Sequence, residues 1–282
     1  MSLAAQPIEC KIEMTALPTY FISHGGGPWP WMDWRQMFGN LEASLKDMPR
    51  QIDMKPKAVL VISGHWESRE FAIMANPHPP MVYDYSGFPP HTYDVVYPAP
   101  GAPELAERVH SLIEKSGLPA RLDMTQGFDH GAFVPLYVMY PQADVPVIQL
   151  SLKTGLDPAE HLAVGRALAP LREEGVLIVG SGLSYHNLRL MGPASREPSN
   201  LFDAWLQQAL LHSEPAVRSQ KLIDWGQAPA ARIAHPREDH LLPLMVALGA
   251  AENETAAMVY HDEGLFGGMT ASSFRFGEAI HR

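Results

Sequence analysis

Three histidines in this chain stand at the same kind of place. Thr19-Tyr20-Phe21-Ile22 is an apolar run ending in Ser23-His24-Gly25-Gly26-Gly27. Ala58 to Ser63 is a β-branched run that passes through Gly64 into His65-Trp66, and Val176 to Gly182 opens into a loop carrying His186-Asn187. Each run has the length and composition of a buried strand, and the glycines beside it mark the turn that follows. In an open α/β sheet the carboxyl edges of the strands border the ligand crevice, so imidazoles exported to that edge can meet at one centre. Converging imidazoles point to a metal site.

Two more histidines lie near expected helix starts: His130 in Phe128-Asp129-His130-Gly131, and His240 in His235-Pro236-Arg237-Glu238-Asp239-His240. Helix starts of this kind reach the same edge of the sheet. A histidine taken singly is more often structural than ligating, because the ring commonly sits half-buried and hydrogen-bonded. That reading is given to His78, His91, His110, His161, His212, His261 and His281. The five at strand and helix ends are not independent of one another, and their shared position favours a metal centre. Imidazole suits Zn, Fe, Cu and Ni alike. His235 and His240 are expected to open one helix running to Leu248, which sets them about 140° apart around it, so only one can face an ion. Glu238 or Asp239 offers a carboxylate to complete a set of two histidines and one acid.

The elements that must position these residues alternate. Strands are expected at Phe71 to Ala75, Val145 to Leu152, Met258 to His261 and Ser272 to Phe276, in addition to the three that end in histidine. Helices are expected from an Asp33 cap to about Lys46, over Ala102 to Lys115 with Gly117 as its stop, and over Ala132 to Tyr140. Others run from Asp157-Pro158 to about Glu173, over Ser199 to His212, and over Ala216 to Trp225. This alternation predicts an α/β fold: one domain over residues 17 to 282, with a mostly parallel or mixed central sheet and helices on both faces. A flexible arm is expected over residues 1 to 16. Asn76 to Gly101 is proline-rich and without period, which reads as a long ordered excursion or a lid. Trp29, Trp31, Tyr185 and residues 85 to 97 are candidate walls of a pocket.

Composition limits the partners. A chain of 282 residues, 46% of them hydrophobic, can bury a sizeable core. A net charge of −10 without any run of lysine and arginine disfavours nucleic acid and anionic membrane surfaces, and leaves a small molecule as the expected partner. No stretch approaches the ~18 apolar residues of a membrane span, and the first residues lack the apolar centre of a signal peptide. The single cysteine, Cys10, excludes an internal disulfide or a thiolate cluster and fits a cytoplasmic protein. The oligomeric state is left open, a homo-oligomer included.

Several motifs occur in a telling order: Ser23-His24-Gly25-Gly26, Ser63-Gly64-His65-Trp66, Gly87-Phe88-Pro89, Tyr97-Pro98-Ala99-Pro100-Gly101 and Gly127-Phe128-Asp129-His130-Gly131. Ser181-Gly182 with His186-Asn187-Leu188, and Asp239-His240 with Leu242-Pro243-Leu244, complete the series. From about Pro18 to the C-terminus the chain resembles the class III extradiol ring-cleavage dioxygenases, specifically the 4,5-DOPA extradiol dioxygenase branch. The resemblance implies one non-haem Fe(II) held at the positions of His24, His65 and His240, with His130 and His186 beside it. It implies O2 as co-substrate and a small aromatic diol as substrate. It puts His240 where the wider superfamily commonly has a glutamate. It also implies that zinc can stand in for iron and that His186 can close on it, so His186 is taken both as ligand and as base. On this reading His186 accepts the proton a catechol loses, and His130 hydrogen-bonds the bound oxygen and returns a proton. Cleavage next to the diol then gives a muconic semialdehyde. Two rivals remain on the same fold. A non-catalytic metal-binding signalling protein is disfavoured by the presence of all five histidines, and a zinc hydrolase by the lack of a motif such as HExxH.

Overall fold

Fully apolar runs fold here as strands buried on both faces, and the amphipathic stretches between them fold as helices that cover the sheet. The computed structural model describes residues 16–52 and 54–280. In chain order the strands are β1 (Thr19–Ser23), β2 (Ala58–Ser68), β3 (Phe71–Met74), β4 (Ala120–Asp123), β5 (Val147–Lys153), β6 (Val176–Gly182), β7 (Ala256–Leu265) and β8 (Met269–Phe276). The helices are α1 (Gly39–Gln51), α2 (Pro103–Lys115), α3 (His130–Met139), α4 (Pro158–Leu168), α5 (Pro170–Glu173), α6 (Arg196–Leu211), α7 (Pro215–Ile223), α8 (Ala231–Ala234) and α9 (Leu242–Gly249). One eight-stranded sheet runs in the order β4-β3-β5-β2-β6-β1-β8-β7. Its centre, β5-β2-β6-β1, is parallel, while β3 on β5, β8 on β1 and β7 on β8 are antiparallel. The sheet is mixed, as expected, and the carboxyl ends of β1, β2 and β6 share one edge.

Helices cover both faces. A side chain at Gly180 would place its Cβ 2.2 Å from the Pro243 carbonyl oxygen of α9, whereas the next residue, Ser181, donates its hydroxyl to the Gly131 carbonyl of α3. Neighbouring residues of a strand point to opposite faces, so α9 and α3 lie on opposite sides of the sheet. The chain is a single-domain α/β protein. Among the described residues no helix is long and apolar enough to cross a membrane.

Four expectations are corrected. β2 does not end at His65. Its ladder with β6 stops at Ser63, and its ladder with β5 skips from Ile62 to Glu67 before running on to Ser68, which leaves Gly64, His65 and Trp66 outside both. A bulge of this kind re-aims a side chain. No helix opens at His235: Pro236 starts a stretch of turns, and α9 begins only at Leu242. The first helix is not capped by Asp33, since short 3-10 turns fill Trp29–Trp31 and Arg35–Phe38 before α1. The helix from Asp157 breaks at Pro170 into α4 and α5, because proline cannot continue the hydrogen-bond ladder. The arm expected over residues 1 to 16 lies, apart from Ala16, outside the described residues. Residues 76–101 form an ordered excursion closed by the Gly101 N–H on the Pro77 carbonyl (3.0 Å) and held inside by the Tyr83 hydroxyl on Val95 (2.7 Å).

Candidate metal centre

β1 is buried along its whole length and delivers His24 into a turn at Gly25, whose φ of +82° suits glycine. A Cβ at Gly25 would lie 2.5 Å from the Trp29 indole, which donates its Nε1–H to the His24 carbonyl (2.9 Å). The β2 bulge turns His65 toward the same place. His240 arrives from the turn before α9, its carbonyl so close to β6 that a Cβ at Gly182 would lie 2.1 Å away. There it accepts the Leu183 N–H at 3.1 Å. Asp129 caps α3: its Oδ1 accepts the Ala132 N–H (3.1 Å) and the Ser63 hydroxyl (2.7 Å), and its Oδ2 the Gln149 amide (2.7 Å). That cap ties the start of α3, and with it His130, to β2 and β5. His186 is placed by its backbone N–H on the Ala234 carbonyl at 2.9 Å.

The five histidines that the sequence singles out do come together. His65 Nε2 lies 3.3 Å from His24 Nε2 and 3.1 Å from His240 Nε2. The His186 ring stacks on His240 with centroids 3.4 Å apart, and the His130 and His65 centroids are 3.9 Å apart. One donor atom from each of His24, His65 and His240 falls within 4.8 Å of the others. The same holds for His65, Asp84 and His130, and for His186, Asp239 and His240.

Hydrogen bonds fix how the rings present their nitrogens. Ser181 gives its proton to Gly131, so its oxygen accepts from His24 Nδ1 (3.2 Å) and the His24 Nε2 lone pair is left facing the other imidazoles. His65 Nδ1 lies 3.2 Å from Asp84 Oδ2, so the carboxylate faces that ring from the side opposite the other imidazoles. His130 donates both its backbone N–H (3.0 Å) and its Nδ1–H (2.8 Å) to Asp84 Oδ1. His240 Nδ1 is buried without a hydrogen-bond partner among the described residues. It sits 3.3 Å from Asp239 Oδ1, but that oxygen is engaged by the backbone N–H of His240 (3.0 Å).

Burial, reinforced by the neighbouring imidazoles, holds His24 and His240 well below the ordinary histidine value. Burial and the His130 ring bring His65 down to about 3. Burial also lowers His186, against the opposing pull of Asp239. For Asp84 burial works upward, but its bond and charge contacts with His130 and His65 outweigh it and keep the carboxyl below its usual range. Burial and the charge of Asp84 push Asp129 up to about 6. The centre thus gathers desolvated imidazoles whose Nε2 atoms approach one another. That arrangement is unfavourable by itself and fits a divalent cation with nitrogen and carboxylate donors.

Other expectations are redistributed. Glu238 pairs with Arg232 (2.8 Å) and stays outside the centre, whereas Asp239 reaches its margin. His235 is buried elsewhere, its Nε2–H on the Ser184 carbonyl at 3.0 Å. A cavity of about 590 Å³ opens onto the histidines, and Tyr185, Tyr85 and Phe88 line it as expected. Trp29 and Trp31 do not: Trp29 is buried against Phe38 and Trp31 lies on Tyr137, while Trp34 takes the place at the wall. Sequence reasoning misses Asp84, because a lone acid in a proline-rich excursion has no periodic signal; its place between Tyr83 and Tyr85 beside Gly87-Phe88-Pro89 is the available hint.

Residues 18–277 match the family described as the catalytic LigB subunit of aromatic ring-opening dioxygenase. The chain is 40% identical over 263 residues to 4,5-DOPA dioxygenase extradiol of Beta vulgaris, covering 92% of this chain and 96% of that protein. It is 35% identical to the protein of the same name from Escherichia coli K12, covering 85% and 87% of the two chains. It is also 35% identical to dioxygenase tasH of Hapsidospora irregularis, covering 89% and 83%. A crystal structure of an uncharacterized protein from Escherichia coli K12 superposes with a TM-score of 0.75 at 29% identity, over 93% of this chain and all (100%) of that one. An unbroken match from β1 to the end of β8, joined to clustered imidazoles at the sheet edge, makes this chain a member of the aromatic ring-opening dioxygenases, of the extradiol class.

Proposed function

We propose that the protein is an Fe(II)-dependent dioxygenase that inserts O2 next to the diol of a catechol-type substrate and releases a muconic semialdehyde. In this reading residues 17 to 282 act as one catalytic unit. His24, His65 and His240 hold the ion, His186 is the base and with zinc a further ligand, and His130 is the proton donor. The observation that carries the reading is the approach of His65 Nε2 to His24 Nε2 at 3.3 Å and to His240 Nε2 at 3.1 Å, with the His24 proton held on its far side by Ser181. The named relatives support a catechol-type ring as substrate.

When bound, Fe(II) supplies a Lewis acid that acidifies the diol and an open position for O2. The side chains do the rest. His186 lines the cavity and is kept neutral by burial, so it can take the proton a diol gives up near neutral pH. His130 is oriented by Asp84, whose carboxylate stabilises the imidazolium while the proton is held and then returned. Asp84 also anchors His65, so one carboxylate orients a metal ligand and an acid at once. Tyr185 and Tyr85 wall the substrate with rings whose hydroxyls are already committed to the carbonyls of Leu190 (2.8 Å) and Thr92 (2.6 Å).

Anaerobic loading with Fe(II), followed by oxygenated buffer and a catechol panel, tests this. One O2 consumed per ring opened, with a yellow product, is the expected result. Turnover of ester or amide substrates by the zinc form, with no catechol cleaved under Fe(II), would replace it by a hydrolase.

A further inference from the structure

His235 is a buried histidine outside the cluster. Its ring is wholly enclosed, edge-on to Phe202 of α6 at 5.1 Å and to Trp225 at 5.9 Å. Burial keeps it neutral, so it carries one N–H. That proton goes from Nε2 to the Ser184 carbonyl (3.0 Å), and Nδ1 is left buried without a hydrogen-bond partner among the described residues. A ring kept only to fill this space is better supplied by phenylalanine, which leaves no nitrogen orphaned. What histidine adds is one donor aimed at one carbonyl.

That carbonyl belongs to the segment carrying His186. Residues 183 to 187 leave β6 without regular structure of their own, and residues 233 to 235 grip them. The Ile233 carbonyl accepts the Asn187 side-chain amide (2.8 Å), the Ala234 carbonyl accepts the His186 N–H (2.9 Å), and the His235 ring holds Ser184. Three successive residues thus hold the chain on both sides of Tyr185 and set the point from which the His186 ring reaches its stack on His240, 3.4 Å between centroids. The gripping residues are themselves fixed. Ala230 takes a φ of 56°, a left-handed conformation uncommon outside glycine, to start α8, and the His235 N–H closes that helix on the Ala231 carbonyl (2.8 Å).

We infer that His235 is a positioning residue for His186: through the Ser184 carbonyl it holds the His186 ring against His240 and at the wall of the cavity. The inference rests on the dioxygenase reading for its effect on turnover, and on the hydrogen bonds alone for its effect on the segment.

Two variants separate the donor from the ring. His235→Phe keeps a flat ring between Phe202 and Trp225 and removes the donor, whereas His235→Gln restores an N–H near the place of Nε2. Amide exchange is read on the protein as purified, by mass spectrometry with electron-transfer fragmentation. Exchange at His186 should quicken by about tenfold or more in His235→Phe and return in His235→Gln, while that of His24, bonded to the Gly182 carbonyl (3.1 Å), stays unchanged. In the Fe(II) enzyme His235→Phe should keep the metal content and lower kcat by about 10- to 100-fold, the effect of a misplaced reacting group. In a His186→Ala background the same change should cost less than about twofold, because residues that act through one group are not additive. An equal penalty in both backgrounds, or unaltered exchange at His186, overturns the inference. If His235→Phe does not fold, His235→Asn, whose amide falls short of Ser184, takes its place in the same comparison. Quickened exchange at His186 with no catechol cleaved by the unaltered enzyme keeps the positioning role and removes the dioxygenase reading instead.

Discussion

His161 in α4 and the imidazoles at the sheet edge are both drawn out of water, and only the edge group has the form of a reaction centre. His161 in α4 donates its Nδ1–H to the Asp157 carbonyl (2.7 Å) and accepts the Lys153 N–H on Nε2 (3.2 Å), so both nitrogens are spoken for. His24, His65 and His240 have a satisfied or unpartnered outer nitrogen, and their inner nitrogens face each other. Burial lowers the basicity of His161 as it lowers that of the cluster, so depressed basicity does not separate the two regions. Where the second lone pair goes does. His161 is closed by backbone on both nitrogens, whereas the rings at the sheet edge turn Nε2 toward a common point.

The contrast can be broken at either side. The largest expected effect is that of His65→Ala, which should abolish metal retention and lower ring opening by roughly three orders of magnitude or more, read by metal analysis and O2 uptake. His186→Ala should keep the metal yet lose about 10²- to 10⁴-fold in kcat, the range of a single proton-transfer group. Full turnover by that variant would remove His186 from the role of base. Asp84→Asn should weaken metal binding by about 10- to 100-fold, measured by chelator competition, because His65 and His130 lose the acceptor that orients them. On the other side, His161→Leu should leave metal content unchanged. It should cost about 1–3 kcal/mol in chemical denaturation, as the Lys153 N–H and Asp157 carbonyl lose their partner.

A change of slope, not a loss at one condition, sharpens the comparison through pH. Burial in the core brings His235 down to about 3, so on acidification the unfolded chain takes up a proton near 6.5 that the folded chain refuses until about 3. Its contribution to stability is therefore complete above the unfolded value and is lost as pH falls through that window. Unfolding free energy of the metal-free protein should drop there, and His235→Gln should flatten the slope by about 1.4 kcal/mol per pH unit.

Much of the fold and of the histidine cluster is legible in the amino-acid sequence alone. The apolar runs into His24, His65 and His186 identify the strand edge, because a buried parallel strand has little freedom in composition and must end in a turn. The helix expected from His235 to Leu248 fails through its first residues, where Pro236 and successive turns replace a helical start. The position of His240 survives because proximity to α9 is enough to carry it to the edge. β4 escapes notice since Ala120–Asp123 is a half-buried edge strand of only 4 residues, too short for its alternation to stand out. Asp84 escapes it for a different reason. It is placed by irregular backbone in the excursion and leaves no periodic trace in the sequence.

The bridging carboxylate has a consequence for motion as well as for orientation. Asp84 belongs to a stretch with little regular ladder of its own, and it is clasped by two rings of the centre. Taking up an ion stiffens those rings, and the clasp passes that stiffness outward to a segment whose amides otherwise have few strand partners to shield them. Loading the protein with metal should therefore slow hydrogen exchange between Asn76 and Gly101, well beyond any atom the ion touches.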